Sequence, residues 1–225
     1  MNMLNKLIYS LSIFLTITFI NIHAYAQAEG PERWESAIQK FEMQDDKTEI
    51  EPGTILFVGS SSIAKWQNVN EYFPSKKVLN RGFGGSDFQD LLYYTDRIIY
   101  PYQPSKIFIY EGDNDLAKGE KPKKILKRAK KLRKEIRKNL GDTPVIFISP
   151  KPSVARWNLK AQYEELNAML KAYAESQENT EYADVWNPAL DDSGKVMDDI
   201  FIEDNLHMNE KGYEIWHQVL KPYVD

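Results

Sequence analysis

Residues 55–66 read Ile55-Leu56-Phe57-Val58-Gly59-Ser60-Ser61-Ser62-Ile63-Ala64-Lys65-Trp66. Four consecutive apolar residues ending at a glycine are the pattern of a strand covered on both faces, because a half-exposed strand alternates instead. The serines that follow suit a strand-to-helix turn, since a serine hydroxyl can satisfy the unpaired N–H groups where a helix begins. Four similar runs recur: Lys77-Val78-Leu79-Asn80, Ile107-Phe108-Ile109-Tyr110, Val145-Ile146-Phe147-Ile148 and Tyr182-Ala183-Asp184-Val185-Trp186. Segments of helical period separate them. Trp34, Ile38 and Phe41 share one helix face, Tyr163, Leu166, Met169 and Leu170 a second, and Tyr213, Trp216, Val219 and Leu220 the stripe of a closing helix. Strands alternating with helices build a parallel sheet whose right-handed crossovers put helices on both faces. The fold class is α/β: a three-layer α/β/α domain on a five-stranded parallel sheet.

With 225 residues, the chain suits one domain with a full core. Residues 1–26 read as a secretory signal, with Lys6 as its basic start, an apolar stretch from Leu7 to about Ile22, and Ala24-Tyr25-Ala26 as the cleavage site. Ser10, Ser12, Thr16, Thr18 and Asn21 interrupt that stretch, which argues against a membrane anchor. The expectation is an exported, periplasmic or secreted protein comprising residues 27–225 as a single domain. There is no cysteine, which removes disulfides, thiolate metal sites and cysteine nucleophiles together. Of three histidines, His23 lies in the signal, leaving His207 and His217. No metal site and no cofactor are expected from so sparse a set.

The formal charge of −4 gives no reason to expect nucleic-acid binding. It is unevenly spread. Residues 118–138 carry twelve Lys and Arg against Glu120 and Glu135. Ile125, Leu126, Ala129, Leu132, Ile136 and Leu140 keep a helical stripe through this segment, so its basic residues are expected on the opposite, solvated face. A solvated surface helix is the plain reading. Peripheral contact with an anionic surface is the functional one.

In a parallel α/β sheet, ligands bind outside the carboxyl ends of the strands. Polar and glycine residues collect there: Gly59-Ser60-Ser61-Ser62 after the first strand, Asn80-Arg81-Gly82-Phe83-Gly84-Gly85-Ser86-Asp87 after the second, and Glu111-Gly112-Asp113-Asn114-Asp115 after the third. Asp204-Asn205-Leu206-His207 precedes the last helix. A serine at such a turn has helix N-terminal N–H groups beside it, which stabilise a developing oxyanion. Its hydroxyl needs a base, usually histidine, and the histidine needs an acid to hold its tautomer. Asp204 and His207, three residues apart, can share one turn and supply both. His217 sits inside the amphipathic last helix and reads as structural or exposed. Taken singly, the serines could be a helix cap, the 82–85 glycines a tight turn, Asn114 a turn residue and His207 a cap. From the residues alone, Ser60, Ser61 and Ser62 all stay open as nucleophile.

These four blocks, in this order, resemble the SGNH, or GDSL-type, esterases and acylhydrolases. The resemblance spans residues 55 to about 220 and implies a flavodoxin-like sheet. It implies Ser61 as nucleophile, His207 as general base and then acid, and Asp204 as the residue that orients His207. It further implies an oxyanion hole from the N–H groups of Ser61 and Gly85 and the side-chain amide of Asn114, with Gly84 as the rival to Gly85. Ser60 stands where the family's first block usually has aspartate. With Gly59 at the end of the strand and Trp66 on the following helix, at the spacing many members of that family show, the resemblance implies Ser61 rather than Ser60 or Ser62.

Two longer loops, residues 149–158 and 187–203, border the expected site. The first supplies Arg156 and Trp157 as candidate substrate contacts, and the second is acidic and polar. An open, polar site suits a short acyl group, such as acetyl, on a polar carrier such as a carbohydrate. The alternatives are a lysophospholipase, thioesterase or acetylhydrolase acting on lipid, and a non-catalytic carbohydrate-binding domain. Nucleotide binding is disfavoured: Gly82-Phe83-Gly84-Gly85 is not G-x-G-x-x-G and follows the second strand rather than the first.

Overall fold

A computed structural model describes residues 30–48 and 50–224. The export-signal reading at residues 1–26 lies outside the described residues. Five parallel strands, β1 (Ile55–Gly59), β2 (Val78–Gly82), β3 (Lys106–Tyr110), β4 (Val145–Ile148) and β5 (Thr180–Ala183), form one sheet in the order β2-β1-β3-β4-β5. That is the flavodoxin-like order, and its direction reverses between β1 and β3. β1 pairs with β3 from Ile55 opposite Lys106 to Gly59 opposite Tyr110.

The strands divide their side chains between two cores, as period-two alternation requires. On one face Leu56, Val58, Ile107, Ile109, Val145 and Phe147 pack against α1 (Glu35–Asp45), α3 (Phe88–Tyr93), α5 (Pro122–Leu140) and α6 (Lys160–Glu175). On the other, Ile55, Phe57, Phe108, Tyr110, Ile146 and Ile148 meet α2 (Ser61–Ala64) and α7 (Glu210–Val224). Trp66, just past α2, is fully buried there and stacks on Tyr213 of α7 at 5.3 Å between ring centroids. A one-turn helix α4 (Asp113–Ala117) opens directly after β3. Single helical turns also form at Val69–Tyr72 and Thr95–Ile98. All five expected strands and the three-layer order are present.

Three local expectations change. The basic helix begins at Pro122 rather than 118, because residues 113–117 form α4 and Lys118 turns back to Asp87 at 2.6 Å. Its cations do not all face solvent. Arg133 is buried against the turn before β5, where Nε donates to Thr180 Oγ1 at 2.7 Å. The last strand is Thr180–Ala183, ending before Val185 and Trp186. Asp184 accepts N–H bonds from Trp186 and Asn187 and so folds the chain away from the sheet.

Gly59 is where the backbone allows no substitute. It has φ +139°, and a Cβ there would fall 2.1 Å from the carbonyl oxygen of Tyr110. Gly194 also has a positive φ, but its surroundings are open. Gly194→Ala is therefore expected to cost about 1 kcal/mol, whereas Gly59→Ala adds a backbone collision and should cost about 3 kcal/mol or more. Urea unfolding of the two variants beside the parent chain measures the difference.

Candidate active site

The C-terminal ends of β1 and β3 set two turns side by side. After β1, Ser60 N–H donates to Tyr110 O at 3.1 Å, and α2 starts at Ser61. Ser60 takes the N-cap position, yet its side chain makes no cap hydrogen bond. Ser60 and Ser62 are buried, and Ser61 is the partly exposed serine of the three. Its Oγ lies 3.0 Å from His207 Nε2. The geometry thus separates serines that the residues alone left equivalent.

His207 lies in the turn between the loop and α7, next to the bridge that pairs Phe201 with Met208. Its Nδ1 is 2.5 Å from Asp204 Oδ2. Asp204 Oδ1 accepts the N–H groups of Leu206 at 3.0 Å and His207 at 2.8 Å, so the carboxylate both shapes the turn and holds the ring. Desolvation raises the Asp204 pKa, but the His207 ring and these two N–H groups outweigh it and hold the acid far below the ordinary carboxylate range. Asp204 therefore stays ionised. His217 lies elsewhere, its ring edge-on to Tyr72 and Phe73.

Opposite Ser61, Asn114 occupies the first turn of α4. Its Nδ2 donates one hydrogen to Ser86 O at 2.9 Å, and its Oδ1 accepts from Arg156 Nη2 at 3.1 Å. The amide is thereby oriented from both ends, with its second N–H uncommitted. Among the described residues, the backbone N–H groups of Ser61, Gly84 and Gly85 also donate no hydrogen bond. Gly84 faces Ser61, where an added Cβ would meet Ser61 Cβ at 3.8 Å, while Gly85 faces the ring of Trp34.

A buried ionic cluster lies beneath these groups. Asp113, 5% exposed, accepts hydrogen bonds from Arg156 Nη1 at 2.6 Å, Tyr110 Oη at 3.1 Å and the Tyr163 hydroxyl. Burial raises its pKa, but the charges of Lys151 and Arg156 with the bonds from Tyr163 and Arg156 bring it below the usual range. Lys151, 2% exposed, donates to Leu206 O at 2.6 Å, inside the turn that carries Asp204 and His207. Burial pushes the Lys151 amine down, while Asp113 pulls it up. On the other side of Asn114, Ser86 Oγ donates to the buried Glu111 Oε1 at 2.6 Å, and desolvation keeps Glu111 well above an ordinary carboxyl.

Of the residues singled out in the sequence, Ser61, Asp204, His207, Asn114 and the Gly84-Gly85 pair converge here. Arg156 does too, although two of its nitrogens are engaged by Asp113 and Asn114. Trp157 stacks on Trp186 at 6.1 Å with the rings 12° from parallel. The sequence reading missed Asp113, Lys151, Tyr163 and Trp34. Asp113 adjoins Asn114, and Lys151 interrupts an otherwise uncharged stretch in residues 145–155, so both left a signal; Tyr163 looked like part of an apolar stripe. Among the described residues, no group of three or more His, Asp or Glu side chains is placed to hold a metal ion.

The chain resembles three solved structures in fold. A candidate platelet activating factor from Streptococcus pneumonia matches with TM-score 0.74 and 23% identity, covering 98% of this chain and 99% of its own. A GDSL-like lipase from Bacteroides thetaiotaomicron gives 0.69 and 18%, covering 83% and 96%. A mutant of an acetyl-xylooligosaccharide esterase from Geobacillus stearmophilus gives 0.63 and 14%, covering 79% and 96%. No curated protein sequence matches significantly. The model of the GDSL-like lipase/acylhydrolase family matches residues 57–215, which contain the serine turn, the glycine block, Asn114 and the Asp204-His207 turn. The chain belongs to the GDSL-like lipase/acylhydrolase family and is an ester-bond hydrolase.

Proposed function

We propose that this hydrolase is a serine esterase that removes a short acyl group, acetyl above all, from a polar carrier such as a carbohydrate. The observation that carries the serine mechanism is the continuous hydrogen-bonded line from Ser61 Oγ through His207 to Asp204, at 3.0 and 2.5 Å. In the first half-reaction Ser61 Oγ bonds to the ester carbonyl carbon while His207 Nε2 takes the hydroxyl proton. Asp204, ionised and bonded to Nδ1, stabilises the imidazolium that results. The carbonyl oxygen gains negative charge and is met by the N–H of Ser61, the uncommitted N–H of Asn114 and the N–H of Gly85, or of Gly84 in its place. Collapse breaks the bond to the carrier oxygen, which leaves with the proton from Nε2. Water, deprotonated by the same nitrogen, then releases the acyl group and restores Ser61.

The substrate class rests on the character of the surroundings. Glu203, Asp204 and Asn205 are exposed beside the site, Arg156 contributes a cation, and Trp157 is a half-buried aromatic on the bordering loop, stacked on the buried Trp186 with the Lys160 ammonium 5.0 Å from its ring centroid. Arg156 works in this scheme mainly through Asn114, and Trp157 meets the carrier. An acetyl-xylooligosaccharide esterase shares the fold. One observation favours the alternative of a lipid acyl ester: Val154 and Ile202, 39% and 43% exposed, stand on the two loops that meet where Ala155 N–H donates to Asn205 O. Two apolar side chains offer little cover for a long chain, so the short acyl group is preferred. The export signal read at residues 1–26 puts the reaction outside the cytoplasm in this proposal.

Hydrolysis of p-nitrophenyl acetate tests the machinery. Ser61→Ala and His207→Ala should each lower kcat by roughly 10⁴-fold or more, Asn114→Ala by about 10²–10³-fold, and His217→Ala by little; equal rates in all would refute the scheme. Arg156→Met should lower kcat about 10- to 100-fold with KM nearly unchanged, because a misplaced Asn114 amide harms the transition state more than the bound ester. Arg156→Lys keeps the charge beside Asp113 but loses the fork that reaches Asn114, and should fall between. Across p-nitrophenyl esters, kcat/KM should fall from acetate to decanoate; a clear preference for decanoate would establish the lipid reading instead.

A further inference from the structure

On the face of α5 away from the candidate active site, Lys130, Arg133, Lys134 and Arg137 fall at i, i+3, i+4 and i+7, one stripe along the helix. They line a cavity of about 310 Å³ together with Tyr173 and Glu178. Like charges at this spacing repel, so a bare solvated stripe would be mildly destabilising. The stripe is not bare surface, because Arg133 is only 4% exposed.

Arg133 is held by neutral groups. Nε donates to Thr180 Oγ1 at 2.7 Å, and Nη2 donates to the carbonyls of Glu178 at 3.2 Å and Asn179 at 3.3 Å. Nη1 is buried and has no hydrogen-bond partner. No carboxylate lies within ion-pair distance of Arg133 among the described residues; the carboxylate at the cavity, Glu178, stands 3.7 Å from Arg137 with its own side chain 84% exposed. A buried guanidinium without a counter-charge is costly. The cost falls if an anion enters the cavity beside this guanidinium and meets the ammonium groups of Lys130 and Lys134. Lys130 already sits over the Tyr173 ring, at 5.1 Å from its centroid, which keeps its charge at the cavity wall.

We propose that this cavity is a binding site for a phosphate group, separate from the esterase site. Arg133 contacts the turn before β5, at the amino ends of the strands, whereas Ser61, Asn114 and His207 collect at the carboxyl ends. Three cations on one helix face, Lys130, Lys134 and the rigid guanidinium of Arg133 at the base, suit the oxygens of a tetrahedral oxyanion, while Arg137 is already paired with Asp142 and Glu178. The volume exceeds what a lone phosphate fills, so the phosphate of a larger molecule also fits. Two sources share this chemistry, a soluble phosphate and a phospholipid headgroup.

The test compares the parent chain with Lys130→Gln/Lys134→Gln, whose altered side chains are exposed, and with Arg133→Met. Thermal unfolding is followed against inorganic phosphate, with chloride at equal ionic strength as reference. Phosphate also stabilises proteins by exclusion from their surfaces, so the readout is the difference between parent and variant. A tenfold excess over Kd should raise the Tm of the parent by roughly 3–6 °C more than that of the double lysine variant. Arg133→Met loses bonds to the β5 turn as well, and its response is read only against its own Tm in chloride. A second arm uses sedimentation with vesicles of phosphatidylglycerol or of phosphatidylcholine. Binding to phosphatidylglycerol that inorganic phosphate competes away, and that the lysine variant lacks, supports the site and assigns it to a headgroup; stabilisation without vesicle binding supports it and assigns it to a soluble phosphate. Equal phosphate responses in parent and lysine variant, with no competed vesicle binding, would overturn it. Hydrolysis of p-nitrophenyl acetate should be the same in the parent and the lysine variant.

Discussion

The close approach of β1 and β3 at their carboxyl ends governs the rest of this structure. At the last register position Gly59 lies opposite Tyr110, and a side chain at Gly59 would strike the Tyr110 carbonyl. With hydrogen alone there, Ser60 N–H reaches that carbonyl, the chain turns, and α2 begins at Ser61. On the neighbouring strand the chain turns at Gly112 into α4, which carries Asn114. The candidate nucleophile and the candidate oxyanion donor are therefore positioned by adjacent strands of one ladder. The sheet order reverses at this same pair, which opens the crevice.

Tyr110 ties this constraint to the electrostatics. Its carbonyl fixes the serine turn, while its hydroxyl donates to Asp113 and receives the N–H of Lys151. Asp113 in turn anchors Arg156, which holds Asn114, and the Lys151 ammonium holds the carbonyl of Leu206 in the histidine turn. Two cations around one buried carboxylate thus connect the Asn114 side of the candidate site to the His207 side. Buried ionic groups of this kind seldom add much net stability, but they restrict the geometry of whatever they touch. Here they touch both halves of the candidate machinery.

Much of this was legible in the residues. Apolar runs such as Ile107-Phe108-Ile109-Tyr110 announce buried parallel strands because both faces must exclude water, and the polar ends of those runs announce the crevice. Ser61, Asn114, Asp204 and His207 were each visible as a type that the chemistry needs. Arg133 was not legible, because a lysine- and arginine-rich helix gives no sign of which cation turns inward; its burial depends on the turn at Glu178 and Asn179 reaching it. The Asp113 cluster was legible only in part: Asp113 beside Asn114 and Lys151 in an uncharged stretch left a sign, but the members come from β3, α4, α6 and the loop after β4, and a tyrosine such as Tyr163 reads as apolar until its hydroxyl finds a carboxylate. The end of β5 was misplaced because Val185 and Trp186 are as strand-like as any residues in the chain, and a side chain, Asp184, ended the strand.

The central claim is that Ser61, activated by His207, forms the covalent bond with the substrate. Reaction with a fluorophosphonate, followed by peptide mass mapping, tests it directly. The account predicts a single adduct on Ser61, with labelling slowed by orders of magnitude in His207→Ala and abolished in Ser61→Ala. An adduct on Ser60 or Ser62, or rapid ester hydrolysis by a chain that never becomes labelled, would contradict it.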